Sequence, residues 1–196
     1  MLGRVSSQKR ASARVTTRTG DRGDTSLFGK GRVRKSDPRI EALGDLDEAQ
    51  SALGVARAQA PAPVAEIILE LQRGLYIAMA EVATPSSDIS RLPQRIDDVA
   101  VAALEERSAA LKATTDIEGV FVVPGEDAVS AALDLARTVT RRAERRVVTL
   151  VDAGTVKNEH LVPWLNRLSD VVFILARSVE PRGRRARGQE PPFSER

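Results

Sequence analysis

The residues best suited to chemistry lie in one charged helical segment, residues 136–146. At 100° per residue, Arg137, Arg141 and Glu144 share a narrow stripe beside the apolar face of the predicted helix. A planar guanidinium donates to two phosphate oxygens at once, so this stripe is suited to binding an anion. A solvated face with ion pairs is the alternative, because most charged helical segments are of that kind. The arginines that point elsewhere fit this alternative: Arg142, Arg145 and Arg146.

A second candidate is the glycine-bearing loop that spans residues 15–37. Glycine lets the backbone approach a phosphate closely, and the amides and hydroxyls of such a loop are donors. Lys35 adds a positive charge, but the spacing of a Walker A loop is missing. A surface turn is therefore the alternative. The candidate binding residues of the loop are Thr17, Arg18, Thr19, Gly20, Asp21, Gly23, Thr25 and Ser26.

Composition excludes several other kinds of site. The 196-residue chain has no cysteine and one histidine, His160, which excludes disulfides, thiolate chemistry and histidine-cluster metal sites. Residues 1–18 hold five basic residues and residues 181–196 hold five arginines, which leaves 20 basic against 25 acidic residues between them. The basic character therefore belongs to the ends, and nucleic-acid binding is not expected. No apolar run is long enough to span a membrane, and we expect a cytoplasmic location.

Hydrophobic periodicity predicts five helices joined by short loops, which is typical of an all-α bundle with ferritin-like up-and-down packing. The expected helices begin near Pro38, Val64, Pro93, Glu126 and Leu161. Residues 15–37 are not apolar enough for a strand of any length. We expect a single helical domain at 15–180, between a disordered basic arm at 1–14 and a disordered Arg/Pro-rich tail at 181–196.

The two candidates occur together with further motifs in a distinctive order. These motifs are Thr17-Arg-Thr-Gly-Asp-x-Gly-x-Thr, Gly31-Arg-Val-x-Lys35, Glu41-Ala-x-Gly44-x-x-Asp47-Glu48, Arg141-Arg-Ala-Glu-Arg and Leu165-Asn-Arg-Leu-Ser-Asp170. In this combination the chain resembles the PduO-type ATP:cob(I)alamin adenosyltransferases. The resemblance extends from about residue 15 to residue 178. Because the resemblance includes both candidates, it favours an anion-binding site over a solvated, ion-paired face for the arginine stripe.

The resemblance implies an enzyme that transfers the 5′-deoxyadenosyl group of ATP to the cobalt of cob(I)alamin, giving adenosylcobalamin and triphosphate. Its expected ligands are ATP, Mg²⁺ and the corrinoid, in a homotrimer with active sites between subunits. A corrinoid reductase or an adenosylcobalamin-dependent mutase is the expected partner enzyme. Cobalt(I) is itself the nucleophile, so the reaction requires no catalytic Ser, Cys or His. A non-catalytic trimer that binds ATP and cobalamin for delivery or regulation stays open as an alternative.

The same resemblance assigns roles to individual residues. The loop is expected to close over ATP with Lys35 near the phosphates, and Phe121 is expected to face the corrin. Arg137 is expected to pair with Asp47 across the subunit boundary, and Glu144 is the candidate carboxylate for Mg²⁺. The other helical residues that the resemblance assigns to cofactor binding are Arg141, Arg142, Arg145 and Asn166.

Four positions depart from the family pattern. Gln50 stands where an asparagine is usual, and Asp134 stands where histidine is frequent. Glu126 and Asp127 follow Pro124-Gly125, where small or neutral residues are usual. The two acids either alter the loop expected to face the corrin or act as favourable charges at the start of the next helix.

Overall fold

The computed structural model describes residues 16–29, 31–117 and 122–180. The predicted all-α architecture is confirmed, since five helices make up most of this part of the chain. The helical elements are α1 (Pro38–Gln59), α2 (Ala62–Ala83), a 3-10 turn (Ile89–Arg91), α3 (Asp98–Lys112), α4 (Ala128–Asp152) and α5 (Leu161–Val179). Residues 1–14 and 181–196, predicted to be disordered, lie outside the described residues, as does Phe121.

Small side chains allow α1 and α4 to pack closely at the centre of the bundle. Ala42, Ala49 and Ala56, spaced seven residues apart on α1, are fully buried, as are Ala136 and Ala143 of α4. In addition, α4 packs on α5, α2 lies against α1, and α3 lies against α5. The position of α4 is therefore fixed by helices on two sides, which orients the stripe that it carries. No helix among the described residues is long and apolar enough to cross a membrane.

Aspartates begin three of the helices. The carboxylates of Asp37, Asp97 and Asp127 accept backbone N–H groups in the first turns of α1, α3 and α4. Such caps satisfy donors that have no partner within the helix. Asp127 accepts from the N–H of Val129 at 2.8 Å and of Ser130 at 3.0 Å. This departure from the family pattern therefore serves as the N-cap of α4.

The predicted start of the third helix at Pro93 is wrong, since α3 begins at Asp98. The cause is a buried carboxylate on α2. Glu81, which is 2% exposed, accepts a hydrogen bond from the backbone N–H of Ile96 and another from Nδ2 of Asn158. A buried carboxylate requires such partners, and their positions hold the backbone before α3 in an extended course.

The prediction of no strand at 15–37 is also wrong. Strands β1 (Asp24–Ser26) and β2 (Arg32–Arg34) pair antiparallel, with Thr25 opposite Val33. Nη1 of Arg34 lies 3.1 Å from Oδ1 of Asp24 across this pair. Both strands are short and consist mainly of polar residues, so the apolar alternation that normally reveals a strand is missing. Cross-strand contacts of arginine stabilise the pair instead.

The contact between α2 and α5 depends on a glycine. A Cβ added at Gly74 would lie 2.3 Å from Cζ2 of the buried Trp164. We therefore expect Gly74→Ala to lower the free energy of unfolding by about 1–3 kcal/mol or more, as overpacking does. Thermal unfolding measures this effect. Gly54→Ala is the matched control, because its Cβ would meet only Nε2 of Gln72, at 3.5 Å. An equal melting temperature for both variants would contradict the packing described.

Candidate active site

The β1–β2 hairpin folds the predicted loop onto a group of cations. The backbone N–H of Lys35 donates to the carbonyl of Gly23 at 2.9 Å. A Cβ added at Gly20 would lie 3.2 Å from Nζ of Lys35. Glycine therefore leaves room for the ammonium group directly beside the loop backbone. The structure thus brings together the loop and the lysine that the sequence predicted to act with it.

Two further arginines hold the loop in place, and neither was predicted from the sequence to belong to the site. Nη2 of Arg32 donates to the carbonyl of Thr19 at 2.7 Å and to that of Asp24 at 3.2 Å. Nη1 of Arg34 donates to the carbonyl of Arg22 at 3.0 Å. A basic residue at every second position is the signal that could have found them, because alternate residues of a strand share one face.

The hairpin is bonded to the end of α2 and faces the C-terminal end of α4 across a cavity. The backbone N–H of Phe28 donates to the carbonyl of Ala83 at 2.9 Å. Leu27 and Val33 line a cavity of about 340 Å³ together with Thr149 and other residues at the C-terminal end of α4. The loop is therefore anchored to the body of the same subunit, on one end of the helix that carries the arginine stripe.

The stripe itself joins α4 to α5 through one of its members. Oε1 of Glu144 accepts a hydrogen bond from Nδ2 of Asn166 at 3.1 Å. Both side chains are half-buried, whereas Arg141 is exposed. Within the described ranges the side chain of Arg141 makes no hydrogen bond, so its guanidinium is available to a ligand. The structure thus places Glu144 and Asn166 together, as a joint site requires.

Arg137 is held by groups of its own subunit. Its Nε lies 3.3 Å from Oδ1 of Asp134, and its guanidinium lies 5.9 Å from the ring centroid of Phe173. The partner predicted for Arg137 was Asp47 of a neighbouring subunit. Asp47 is exposed on α1, which is compatible with a contact outside the subunit. That pairing remains a prediction.

Arg142 and Arg145, the other arginines assigned to cofactor binding, have contacts within the subunit. Arg142 donates to Asp45 and Glu48 of α1, and Arg145 donates to the carbonyl of Arg141. The hydrogen bond with Glu48, followed by that with Asp45, raises the pKa of Arg142 above its ordinary value. These bonds connect α1 to α4 and leave the cofactor role of both arginines a prediction.

The loop and Arg137, the first residue of the arginine stripe, lie at different levels of one subunit. Thr149 of α4 lines the cavity beside the hairpin and lies twelve residues beyond Arg137, but only five beyond Glu144. The twelve-residue distance is the one to Arg137. At a rise of about 1.5 Å per residue, this separation is about 18 Å along the helix. One subunit therefore presents the loop at one level of the bundle and Arg137 at another.

Comparison with known proteins agrees with this helical bundle. Residues 15–179 match the cobalamin adenosyltransferase family model. A corrinoid adenosyltransferase of Citrobacter freundii is 39% identical over 168 residues, covering 85% of this chain and 95% of that protein. One of Mycobacterium leprae is 40% identical over 174 residues, covering 84% and 90%.

A solved structure is similar over the same region. It is that of a variant PduO-type ATP:corrinoid adenosyltransferase from Lactobacillus reuteri, complexed with cobalamin and ATP. The identity is 31% and the TM-score 0.76, and the similarity covers 84% of this chain and 92% of that chain. The chain belongs to the cobalamin adenosyltransferase family.

Proposed function

We propose that this protein transfers the 5′-deoxyadenosyl group of ATP to the cobalt of a reduced corrinoid. The family and its similarity to a structure complexed with cobalamin and ATP support this function. The observation that carries it is the placement of Lys35 against Gly20, within a loop rich in amide and hydroxyl donors. An ammonium group beside closely approachable backbone is suited to the phosphates of a nucleotide.

The chemistry requires little from the protein beyond position and charge. Cobalt(I) attacks C5′ of the ribose with its own electron pair, the C5′–O bond breaks, and triphosphate leaves with that bond's electrons. The residues must hold C5′ in line with cobalt and stabilise the negative charge that develops on the leaving group. Lys35 and Arg141 are the exposed cations best suited to that charge.

The active site is shared between subunits of a homotrimer. The separation of about 18 Å along α4 supports this arrangement, because the loop and Arg137 of one subunit lie at different levels. In the trimer, the loop of one subunit closes over the stripe of the next, and Asp47 pairs with the Arg137 of its neighbour. The domain at 15–180 forms this assembly, with 1–14 and 181–196 as extensions of it.

Mg²⁺ is expected to arrive with ATP. Magnesium in nucleotide sites is usually held by one or two carboxylates together with phosphate oxygens and water. Glu144 is half-buried beside Asn166 and fits this requirement as a single carboxylate. Groups of three or more potential metal ligands are absent from the described residues, which agrees with a metal held largely by the nucleotide. Phe121 is the residue proposed to face the corrin.

An anaerobic assay with MgATP and chemically reduced cobalamin tests this function. Formation of adenosylcobalamin and triphosphate is the expected result. A protein that binds ATP and cobalamin without forming product would instead be the non-catalytic delivery or regulatory trimer. Release of the product to an adenosylcobalamin-dependent mutase, supply of electrons by a corrinoid reductase and a cytoplasmic location complete the proposal.

A further inference from the structure

A buried ionic cluster joins the first turns of α4 to the end of α5. At its centre is Asp134, which is 3% exposed and uses both carboxylate oxygens. Oδ1 accepts from Nε of Arg137 at 3.3 Å, and Oδ2 accepts from Nη2 of Arg177 at 2.6 Å. A carboxylate buried this deeply is stable only with such partners. Asp134 is therefore fixed between two guanidiniums.

The second of these guanidiniums is itself held on several sides. The side chain of Arg177 is 7% exposed, and its Nη2 also donates to Oε1 of Glu180 at 3.0 Å and to Oγ of Ser130 at 3.3 Å. Ser130 in turn donates to Glu180. The cluster thus contains two arginines and two carboxylates, and Arg177 retains the charge of Glu180 even without Asp134.

An aromatic ring adds a second point of attachment for Arg137. The guanidiniums of Arg137 and Arg177 lie 5.9 Å and 5.3 Å from the ring centroid of Phe173. A ring face attracts a cation at this distance. Arg137 is thus held through its Nε and through the ring. Its two terminal nitrogens make no hydrogen bond within the part of the chain that the structure describes.

We infer that Asp134 is a positioning residue, which orients Arg137 so that its two terminal nitrogens face an acceptor outside the subunit. This inference rests on the proposed function, in which that acceptor belongs to the shared active site. A long, flexible side chain that is already oriented loses less freedom when its acceptor arrives. Arg177 and Phe173 keep Asp134 and Arg137 in this arrangement.

A double-mutant cycle tests the inference. Asp134→Asn preserves the shape of the side chain and leaves the Arg177–Glu180 pair intact, so we expect it to fold. Its kcat should fall about 10- to 100-fold, since small misplacements of positioned groups have effects of this size. In an Arg137→Ala background the same change should alter kcat by less than about twofold, because Asp134 then has nothing to position. Equal losses in both backgrounds, or no loss in either, would overturn the inference.

Glu180→Gln provides a matched control. It removes a buried carboxylate from Arg177 but does not contact Arg137. We expect a lower melting temperature with kcat within about twofold of the unmodified protein, since only stability is affected. A loss of kcat as large as that of Asp134→Asn would mean that the cluster is merely structural. If Asp134→Asn does not fold, Asp134→Ser replaces it in the same cycle.

A second measurement separates this inference from the proposed function. If the unmodified protein forms no adenosylcobalamin, the proposed function fails. The cycle is then evaluated with the dissociation constant for ATP, measured by titration calorimetry. A weakening of ATP binding by Asp134→Asn that disappears in the Arg137→Ala background would support the inference even then. Additive effects on ATP binding, or no binding of ATP at all, would overturn it.

Discussion

Replacement of Arg141 by alanine should lower kcat about 100- to 1000-fold, the effect of removing one preorganised donor from a developing negative charge. Helix content and melting temperature should change little. Arg141 is exposed, and its side chain has no hydrogen-bond partner in the described ranges. Circular dichroism, thermal unfolding and the adenosylation assay together measure this result. Activity close to that of the unmodified protein would show that the stripe does not contact the triphosphate.

The conservative variant Arg141→Lys distinguishes charge from geometry. Lysine retains the positive charge but loses the planar fork that binds two oxygens at once. We expect Arg141→Lys to recover only a small part of the activity lost in Arg141→Ala. The matched control is Arg146→Lys, because Arg146 lies on the same helix, is exposed and contacts Asp45 at 3.4 Å. Full activity in Arg141→Lys would mean that a point charge is sufficient.

Replacement of Lys35 by glutamine should have the second largest effect, a loss of about 100-fold in kcat/KM for ATP. The ammonium group lies beside Gly20, within the loop that is proposed to bind the phosphates. Because Lys35 is exposed, its replacement should leave the melting temperature nearly unchanged. Steady-state kinetics at varied ATP concentration measures the effect.

Lys112→Gln is the control for this prediction. Lys112 is an exposed lysine in the last turn of α3 and belongs to no part of the proposed site. Its replacement removes the same charge from the protein and should leave kcat/KM unchanged. Equal losses in Lys35→Gln and Lys112→Gln would indicate a general effect of net charge. Such a result would contradict a local role for Lys35.

Local sequence signals predicted the helices whose limits depend on local chemistry. Pro61 lies between α1 and α2, and Pro63 lies in the first turn of α2. The apolar periodicity of α4 and α5 matches their observed ranges. The start of α3 was not predictable in this way. It depends on the carboxylate of Glu81, fifteen residues before the backbone N–H of Ile96 that donates to it. Local patterns carry no information about such a contact.

In the candidate site, too, some features follow from local sequence patterns and others depend on contacts between distant residues. The 3.6-residue period places Arg137, Arg141 and Glu144 on one stripe, and the stripe needs only a continuous helix to exist. The contact between Asp134 and Arg177 is different, because Arg177 lies 43 residues away on another helix. No spacing rule connects two such positions. Their contact follows from the way α4 and α5 pack together.

Mixed trimers test most directly the proposal that the active site is shared between the subunits of a homotrimer. Arg141→Ala and Lys35→Gln subunits, given different affinity tags and expressed together, can be purified by both tags so that every trimer contains both. Each mixed ring then has one boundary at which an intact loop meets an intact stripe, so we expect about one third of the activity of the unmodified trimer. Activity no higher than that of either variant alone would show that loop and stripe act within one subunit.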